Sequence, residues 1–207
     1  MVQILVPPQV VIRRQSWQRT DPKIIQRSEF TGSSRELLLG PAARWSCSAD
    51  IVTRTLDELN VVRGFLAEMS LTGAFAVVGN YPAGGQQTGL TGASATALIA
   101  GGGQLGIQLN IDGLAPSTLH ARKGHLINFG AGSGPAQVCV LRADLWANAA
   151  GQAQAQLDTP IRRSPVDNDI VHLRFPFHTM RLARPMAWND ELYQLAEIPP
   201  LQFEEYF

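Results

Sequence analysis

Hydrophobic and polar residues alternate through residues 43–51, and the period changes immediately afterwards. The sequence ARWSCSADI places every second side chain on one face, which is typical of a half-buried strand. The residues on the inward face are Trp45, Cys47, Ala49 and Ile51. From residue 55 the apolar spacing becomes three or four, which predicts an amphipathic helix. Its apolar stripe consists of Leu56, Leu59, Val62, Leu66 and Met69.

Capping signals bound this helix. Thr55 followed by Glu58 forms a capping box at its start, and Gly73 supplies the stop. The sequence AFAVVGN then returns to a strand pattern. A strand, an amphipathic helix and a second strand predict a helix that covers one face of a sheet.

From residue 105 onward the pattern predicts almost continuous strand. Residues 105–111 alternate and end at the turn signal Asp112-Gly113. Four further runs follow at short spacing, namely TLHARKGHLINFG, AQVCVLRADLWA, GQAQAQLDTPIR and DIVHLRFPF. This spacing predicts a small barrel or sandwich. Within it, QVCVLRADLWA and QAQAQLDTPI are expected to form the two arms of a hairpin with NAAG at its tip.

The predicted fold class is mainly β, a β-sandwich with one flanking amphipathic helix plus a small β-barrel-like part. Residues 1–30 are expected to form an extended N-terminal arm or edge strand. Residues 31–104 form the sheet-plus-helix part and end in a long Gly-rich loop, 79–104. Residues 105–185 form the β-rich part. Residues 186–207 are a docking segment whose aromatic side chains pack on this chain's own domain or on a neighbour.

The composition favours a surface covered by neighbouring proteins. The chain has 207 residues with a formal net charge of zero, which excludes the basic footprint of a nucleic-acid binder. Charged residues make up 16% of it, against about a quarter in ordinary domains. All basic residues except Lys23 and Lys123 are arginine, and residues 79–104 carry no charge. Arginine is enriched at interfaces, although a GC-rich genome explains the same bias.

The N-terminal sequence MVQILVPPQVVIRR does not indicate membrane targeting. Its apolar run is interrupted by Pro7 and Pro8, and its arginines follow the run instead of preceding it. The run is also too short for a membrane-spanning helix. Neither a signal peptide nor a membrane span is therefore expected.

No motif in the chain predicts catalysis. His120 and His125 lie five residues apart, and His172 and His178 are separated by Pro176, so neither pair has metal-ligand spacing. The Gly-rich loop lacks the Lys-Ser/Thr of a phosphate-binding loop, and no nucleophile elbow is present. We expect no catalytic residue, no metal and no cofactor.

Four polar or reactive residues are interpreted as structural. Asp167 and Asp169 are expected in a solvated turn, because a catalytic carboxylate pair needs environments that separate the two pKa values. Cys47 and Cys139 lie in apolar strand-like runs and are predicted to be buried thiols, with a mutual disulfide as the alternative.

Several segments resemble the distal tail proteins of long-tailed bacteriophages. The likeness runs from about Arg44 to Trp188 through ARW, FLAEMSLTGAF, LHARKGHLINF, LRADLWANAAGQAQAQLDTPIRRSP and MRLA, in that order. This chain has Gly124-His125 where such proteins often have Gly-Asp, and its turn between Asp144 and Gly151 is longer.

The resemblance implies a non-enzymatic virion protein of the tail tip or baseplate. Such a protein forms a sixfold ring that joins the tail tube to the host-binding tip, and its partners are itself, the tube protein and other tip proteins. Tail-tube and tube-completion proteins share this sheet-plus-helix construction. The alternative function is a β-rich module that binds a cell-surface saccharide, with Tyr81, Trp146 and Trp188 as the candidate aromatic residues.

Overall fold

The computed structural model describes residues 2–8, 10–21, 23–38, 43–79, 97–131, 134–184 and 198–206. Within them the chain is mainly β with one α-helix, as predicted. The elements in chain order are β1 (Val2–Ile4), β2 (Val11–Thr20), β3 (Lys23–Arg27), β4 (Ser34–Leu38), β5 (Arg44–Val52), α1 (Leu56–Met69), β6 (Ala74–Gly79), β7 (Ala97–Ile99), β8 (Gly106–Asp112), β9 (Leu119–Ala121), β10 (Leu126–Phe129), β11 (Gln137–Val140), β12 (Leu145–Trp146), β13 (Ala153–Ile161), β14 (Ile170–Val171), β15 (Phe177–Leu182) and β16 (Leu201–Glu205).

The chain divides into two compact units. Unit one comprises Met1–Leu37, Ala43–Val78 and Thr179–Phe207, and unit two comprises Leu38–Ala42 and Gly79–His178. This division differs from the four consecutive segments that the sequence predicts. The reason is that strands from both ends of the chain join the sheet of unit one, so that unit two is inserted within it in sequence.

Unit one contains a six-stranded sheet in the order β1-β6-β15-β16-β5-β2. β1 runs parallel to β6, whereas β5 is antiparallel to both β2 and β16. The alternation predicted for β5 is confirmed, because Cys47 and Ala49 are buried and Arg44 is exposed. The inward residues of this sheet share one hydrophobic core with α1.

Helix α1 begins at its predicted cap. The hydroxyl oxygen of Thr55 accepts a hydrogen bond from the Glu58 backbone nitrogen, and the Glu58 carboxylate accepts one from the Arg54 backbone nitrogen. The apolar stripe is correct except at its first member, since Leu56 is 63% exposed. Leu56 is the first helical residue and lies before the turn that contacts the sheet. The stripe also contains Phe65, which is buried.

Both terminal segments belong to the sheet of unit one. The middle of the predicted N-terminal arm is β2, an edge strand that pairs with β5 along Val11–Thr20, and its start is β1, the strand at the opposite edge. In the C-terminal segment, β16 lies between β15 and β5, and Phe203 is buried in the core of this chain. Trp188 and Tyr193 lie outside the described residues.

Unit two contains a four-stranded antiparallel sheet in the order β13-β8-β7-β14. Two further strand pairs, β10-β11 and β12-β9, pack around the same core. Phe129, Ile127 and Leu157 are fully buried there. Isolated bridges between Asn128 and His172 and between Leu141 and Leu157 extend the pairing.

The strand partners in unit two differ from the sequence prediction. The proposed hairpin of residues 137–161 forms only in part, because β12 pairs with β9 and β13 pairs with β8. Its arms are joined by an antiparallel bridge between Leu141 and Leu157 and by the hydrogen bond from the Arg142 nitrogen to the Gln156 carbonyl, and the predicted tip forms a turn. The alternation over 105–111 is correct for Leu109 and Ile111, which are fully buried, but Leu105 is 67% exposed.

The predicted loop 79–104 is described only at its ends. Residues 80–96 lie outside the described part of the chain. Residues Ala97–Ile99 form β7, a buried strand, and are therefore not loop. The side chain of Gln104 closes the following turn, since its Nε2 donates to the carbonyls of Ala100 and Gly101 and its Oε1 accepts from the Asn110 backbone nitrogen.

Candidate functional site

Unit two carries a concave surface lined by amide side chains and one exposed tryptophan. The concavity has a volume of about 540 Å³. Its lining, which we call the amide surface, consists of Ala100, Asn110, Ile111, Trp146, Asn148, Gln152, Ala153 and Gln154. None of these side chains carries a charge. The surface is therefore suited to a neutral, hydrogen-bonding ligand.

Antiparallel strands β8 and β13 place two of the amides side by side. Gln154 lies opposite Asn110 in the register, and the Gln154 Nε2 donates to the Asn110 Oδ1 at 3.1 Å. The Gln156 Nε2 donates in turn to the Gln154 Oε1 at 3.3 Å. This chain of hydrogen bonds orients the amides along the strand surface. The alternating glutamines of QAQAQ thus form the polar face of β13.

A tight turn positions the amide of Asn148. Its Oδ1 accepts hydrogen bonds from the backbone nitrogens of Ala150 and Gln152, both at 2.9 Å. Gly151 has a φ of +74°, and a Cβ on it would lie 2.4 Å from the Leu114 carbonyl oxygen. The turn therefore requires glycine at this position. Its geometry fixes Asn148 beside the concavity.

Trp146 provides the apolar part of the amide surface. It is 59% exposed, while the preceding Leu145 is almost fully buried. Strand alternation explains the difference, because Leu145 enters the core of unit two and Trp146 points outward. An exposed indole beside convergent amides offers a flat apolar face and a hydrogen-bond donor to one ligand. The other two candidate aromatic residues, Tyr81 and Trp188, lie outside the described residues.

The histidines have structural environments. His120 is buried, and its Nε2 donates to the Ala115 carbonyl oxygen at 3.0 Å. Burial, together with the positive charge of Arg162, lowers the pKa of His178 to about 3. Burial also lowers the pKa of His172, and the negative charge of Asp169 opposes this shift. His178 is therefore neutral near pH 7 and packs as a core residue.

The cysteines and aspartates are also tied to the fold. Cys47 and Cys139 are buried thiols, as predicted, and burial raises the pKa of Cys47 to about 12. Asp167 is exposed and accepts a hydrogen bond from the Gly101 backbone nitrogen at 2.7 Å. The prediction that Asp169 is solvated is wrong, since it is 9% exposed. Its carbonyl oxygen pairs with the Ile99 backbone nitrogen, which draws it against β7.

In the part of the chain that the structure describes, no three His, Cys, Asp or Glu side chains group together in a way that could hold a metal ion. Among the same residues, no helix has the length and apolarity needed to cross a membrane.

No protein-family model matches the chain, and no curated protein sequence matches it either.

Proposed function

We propose that this chain is a structural protein of a bacteriophage tail tip. It forms a homo-oligomeric ring of six copies that joins the tail tube to the host-binding tip. Its partners are further copies of itself, the tail tube protein and other tip or baseplate proteins, and it resides in the virion. The tail and the number six come from the resemblance of residues 44–188 to distal tail proteins.

The open edge of β2 is the observation that carries the assembly part of this proposal. β2 pairs with β5 on one side, and no other described strand pairs with it on the other. Its register with β5 is unbroken from Arg14 to Thr20, after one irregularity near Ile12. Such an edge is a template for pairing with a second chain.

The side chains of β2 support the same proposal. Soluble monomers commonly protect edge strands with charged residues, lysine above all, or with proline. β2 contains no lysine or proline, and its charged residues are Arg13, Arg14 and Arg19. On the face that is turned away from α1, Ser16, Gln18 and Thr20 are exposed and uncharged, and Arg14 is the exposed charged residue of the same face. Covering Ser16, Gln18 and Thr20 with a neighbour would remove no charge from water, so the desolvation cost on this face falls on Arg14.

A reconstruction of the native tail tests the proposed ring. We expect a closed ring of copies at the end of the tail tube, with β2 against the adjacent copy. Heterologous contacts of this kind close into rings when the rotation permits. Isolated single copies of the chain in the particle, or a β2 edge that faces open solvent, would overturn the proposal.

A second candidate function is the binding of a neutral cell-surface saccharide. The amide surface favours it, because Trp146 is solvent-facing and four amide side chains line the same concavity. A pyranose ring presents apolar C–H groups to an aromatic face and hydroxyls that pair with amide donors and acceptors. This function is compatible with a place at the host-binding end of a tail.

The variant Trp146→Ala tests saccharide binding. A glycan array with the wild-type chain identifies the ligand, and we expect the variant to bind that glycan at least tenfold more weakly, which is about 1.4 kcal/mol. Phe175→Ala is the control, since Phe175 is a half-exposed aromatic residue of the same unit outside the lining. An array without any bound glycan, or equal affinities for both variants, would exclude this function.

A further inference from the structure

The β3–β4 hairpin presents one aromatic side chain to solvent at its tip and two isoleucines along β3. Phe30 is 99% exposed, and Ile24 and Ile25 on the same hairpin are 44% and 62% exposed. The two strands form a sheet of their own within the described part of the chain. A separate two-stranded hairpin is marginally stable in water. The hairpin therefore has the features of an element that another surface covers.

Hydrogen bonds hold the tip in one conformation. The Ser28 backbone nitrogen donates to the Ser33 carbonyl at 2.9 Å, and the Gly32 nitrogen donates to the Ser28 carbonyl at 3.0 Å. The Thr31 nitrogen donates to the Ser28 hydroxyl at 3.2 Å. Phe30 is thus displayed on an ordered turn, which reduces the entropy lost when it binds.

Unit one also contains a cavity that has room for an aromatic ring. It lies where α1 ends and has a volume of about 460 Å³. Met69, Leu71 and Leu182 supply apolar lining, and Leu71 is 59% exposed. Tyr206 completes the wall, and its ring stacks on Phe75 with centroids 5.8 Å apart. The volume falls within the range of ligand-binding pockets, and the lining suits an apolar side chain.

The charges at the tip and at the cavity are opposite. Glu29 precedes Phe30 and is exposed, whereas Arg181 and Arg184 lie at the cavity. Arg181 already pairs with Glu204, since its Nη2 lies 2.6 Å from the Glu204 Oε1. Arg184 is exposed and is the cation that Glu29 of an incoming tip would meet.

We propose that Phe30 of one copy inserts into the cavity at the end of α1 in the next copy, with Glu29 beside Arg184. The tip and the cavity are different surfaces of the same unit, so the contact is heterologous and repeats from copy to copy. Phe30 does not fill its own cavity, because it is almost fully exposed. The inference rests on the proposed function, since it names a contact by which the copies of the ring join.

Disulfide trapping in the assembled full-length chain tests this contact. Copies with Thr31→Cys, which keep Phe30 and carry the cysteine next to it, are mixed with copies that carry Leu71→Cys, assembled and oxidised. We expect a covalent dimer that contains one copy of each kind. Leu5→Cys replaces Leu71→Cys in the control, since Leu5 is an exposed leucine of unit one outside the cavity, and it should give at least tenfold less dimer. The native cysteines are buried and contribute little background.

Two results separate the contact from the ring itself. If the mixed copies form rings and no dimer linked between positions 31 and 71 appears, the contact is wrong and the proposed function stands. If the wild-type chain forms no oligomer, alone or in the native tail, the proposed contact and the proposed ring are both wrong. A native tail in which the hairpin tip contacts a different protein also overturns the contact.

Charge reversal provides a second test that does not depend on cysteine chemistry. Glu29→Arg and Arg184→Glu are each expected to weaken assembly at least tenfold in sedimentation velocity, and the double variant to restore it. Both side chains are exposed, so each variant should retain the fold of unit one. Circular dichroism spectra of the variants, compared with the wild type, check this. Single variants that assemble like the wild type, or a double variant no better than either, would overturn the proposal.

Discussion

Replacement of Leu66 by alanine is expected to lower the free energy of unfolding of unit one by about 2 to 5 kcal/mol. Leu66 lies on the inward face of α1, is 1% exposed, and packs in the core that the helix shares with the sheet. Truncation removes buried apolar surface and leaves a cavity that the surrounding side chains fill incompletely. Denaturant unfolding followed by tryptophan fluorescence measures the loss.

The same helix offers a matched control. Leu56→Ala makes the identical chemical change at a side chain that is 63% exposed, and we expect it to alter stability by no more than about 0.5 kcal/mol. If the two variants lose equal stability, α1 does not pack on the sheet through Leu66.

Replacement of Gly151 by alanine is expected to destabilise unit two by about 2 to 4 kcal/mol. The left-handed conformation costs an L-residue about 1 to 2 kcal/mol. The added Cβ also meets the Leu114 carbonyl oxygen at 2.4 Å, so the backbone has to move. That movement breaks the hydrogen bond from the Leu114 nitrogen to the Gly151 carbonyl, which contributes about 1 kcal/mol or more.

Gly103→Ala separates the clash from the backbone conformation. Gly103 has a φ of +78°, close to that of Gly151, but no atom lies within 4 Å of its Cβ position. We expect this control to cost about 1 to 2 kcal/mol in thermal or denaturant melts. Equal losses for the two alanine variants would show that the close approach to Leu114 does not exist.

The sequence was informative where structure depends on neighbouring residues. The alternation at β5 and the helical stripe of α1 follow from periods of two and three to four, and the Thr55 cap depends on residues within one turn. The error at Leu56 concerns a helix end, where periodicity does not reveal which turn contacts the sheet. Local pattern therefore predicted the elements and most of their buried faces.

Strand partners could not be read from the sequence in the same way. β13 pairs with β8, which is far away in the chain, although a nearer hairpin with β12 satisfied every local signal. Which strand β13 pairs with depends on which strand faces are buried against each other in the completed core. For the same reason the sequence did not place β16 in the middle of a sheet or predict that Asp169 is buried.

Only part of the amide surface could be predicted from the sequence. Trp146 stands out as an aromatic residue near polar neighbours, and strand alternation beside Leu145 turns it outward. Asn110 comes from a different strand, and its position beside Gln154 depends on the register of β8 with β13. The alternating glutamines of QAQAQ were the available signal, because a strand with one uncharged polar face can present several amides together.

The insertion of unit two between β6 and β15 has a consequence for synthesis on the ribosome. Strands β15 and β16 join the sheet of unit one only after Gly79–His178 has been translated. Until then β5 and β6 each have one edge without its final partner strand. Unit two has its own core and can fold during that interval, whereas unit one must join strands from both sides of it. Pairing between strands that are far apart in sequence is slow, and meanwhile the unpaired edges of β5 and β6 are exposed to other nascent chains. Chaperone dependence during expression should therefore concentrate in unit one.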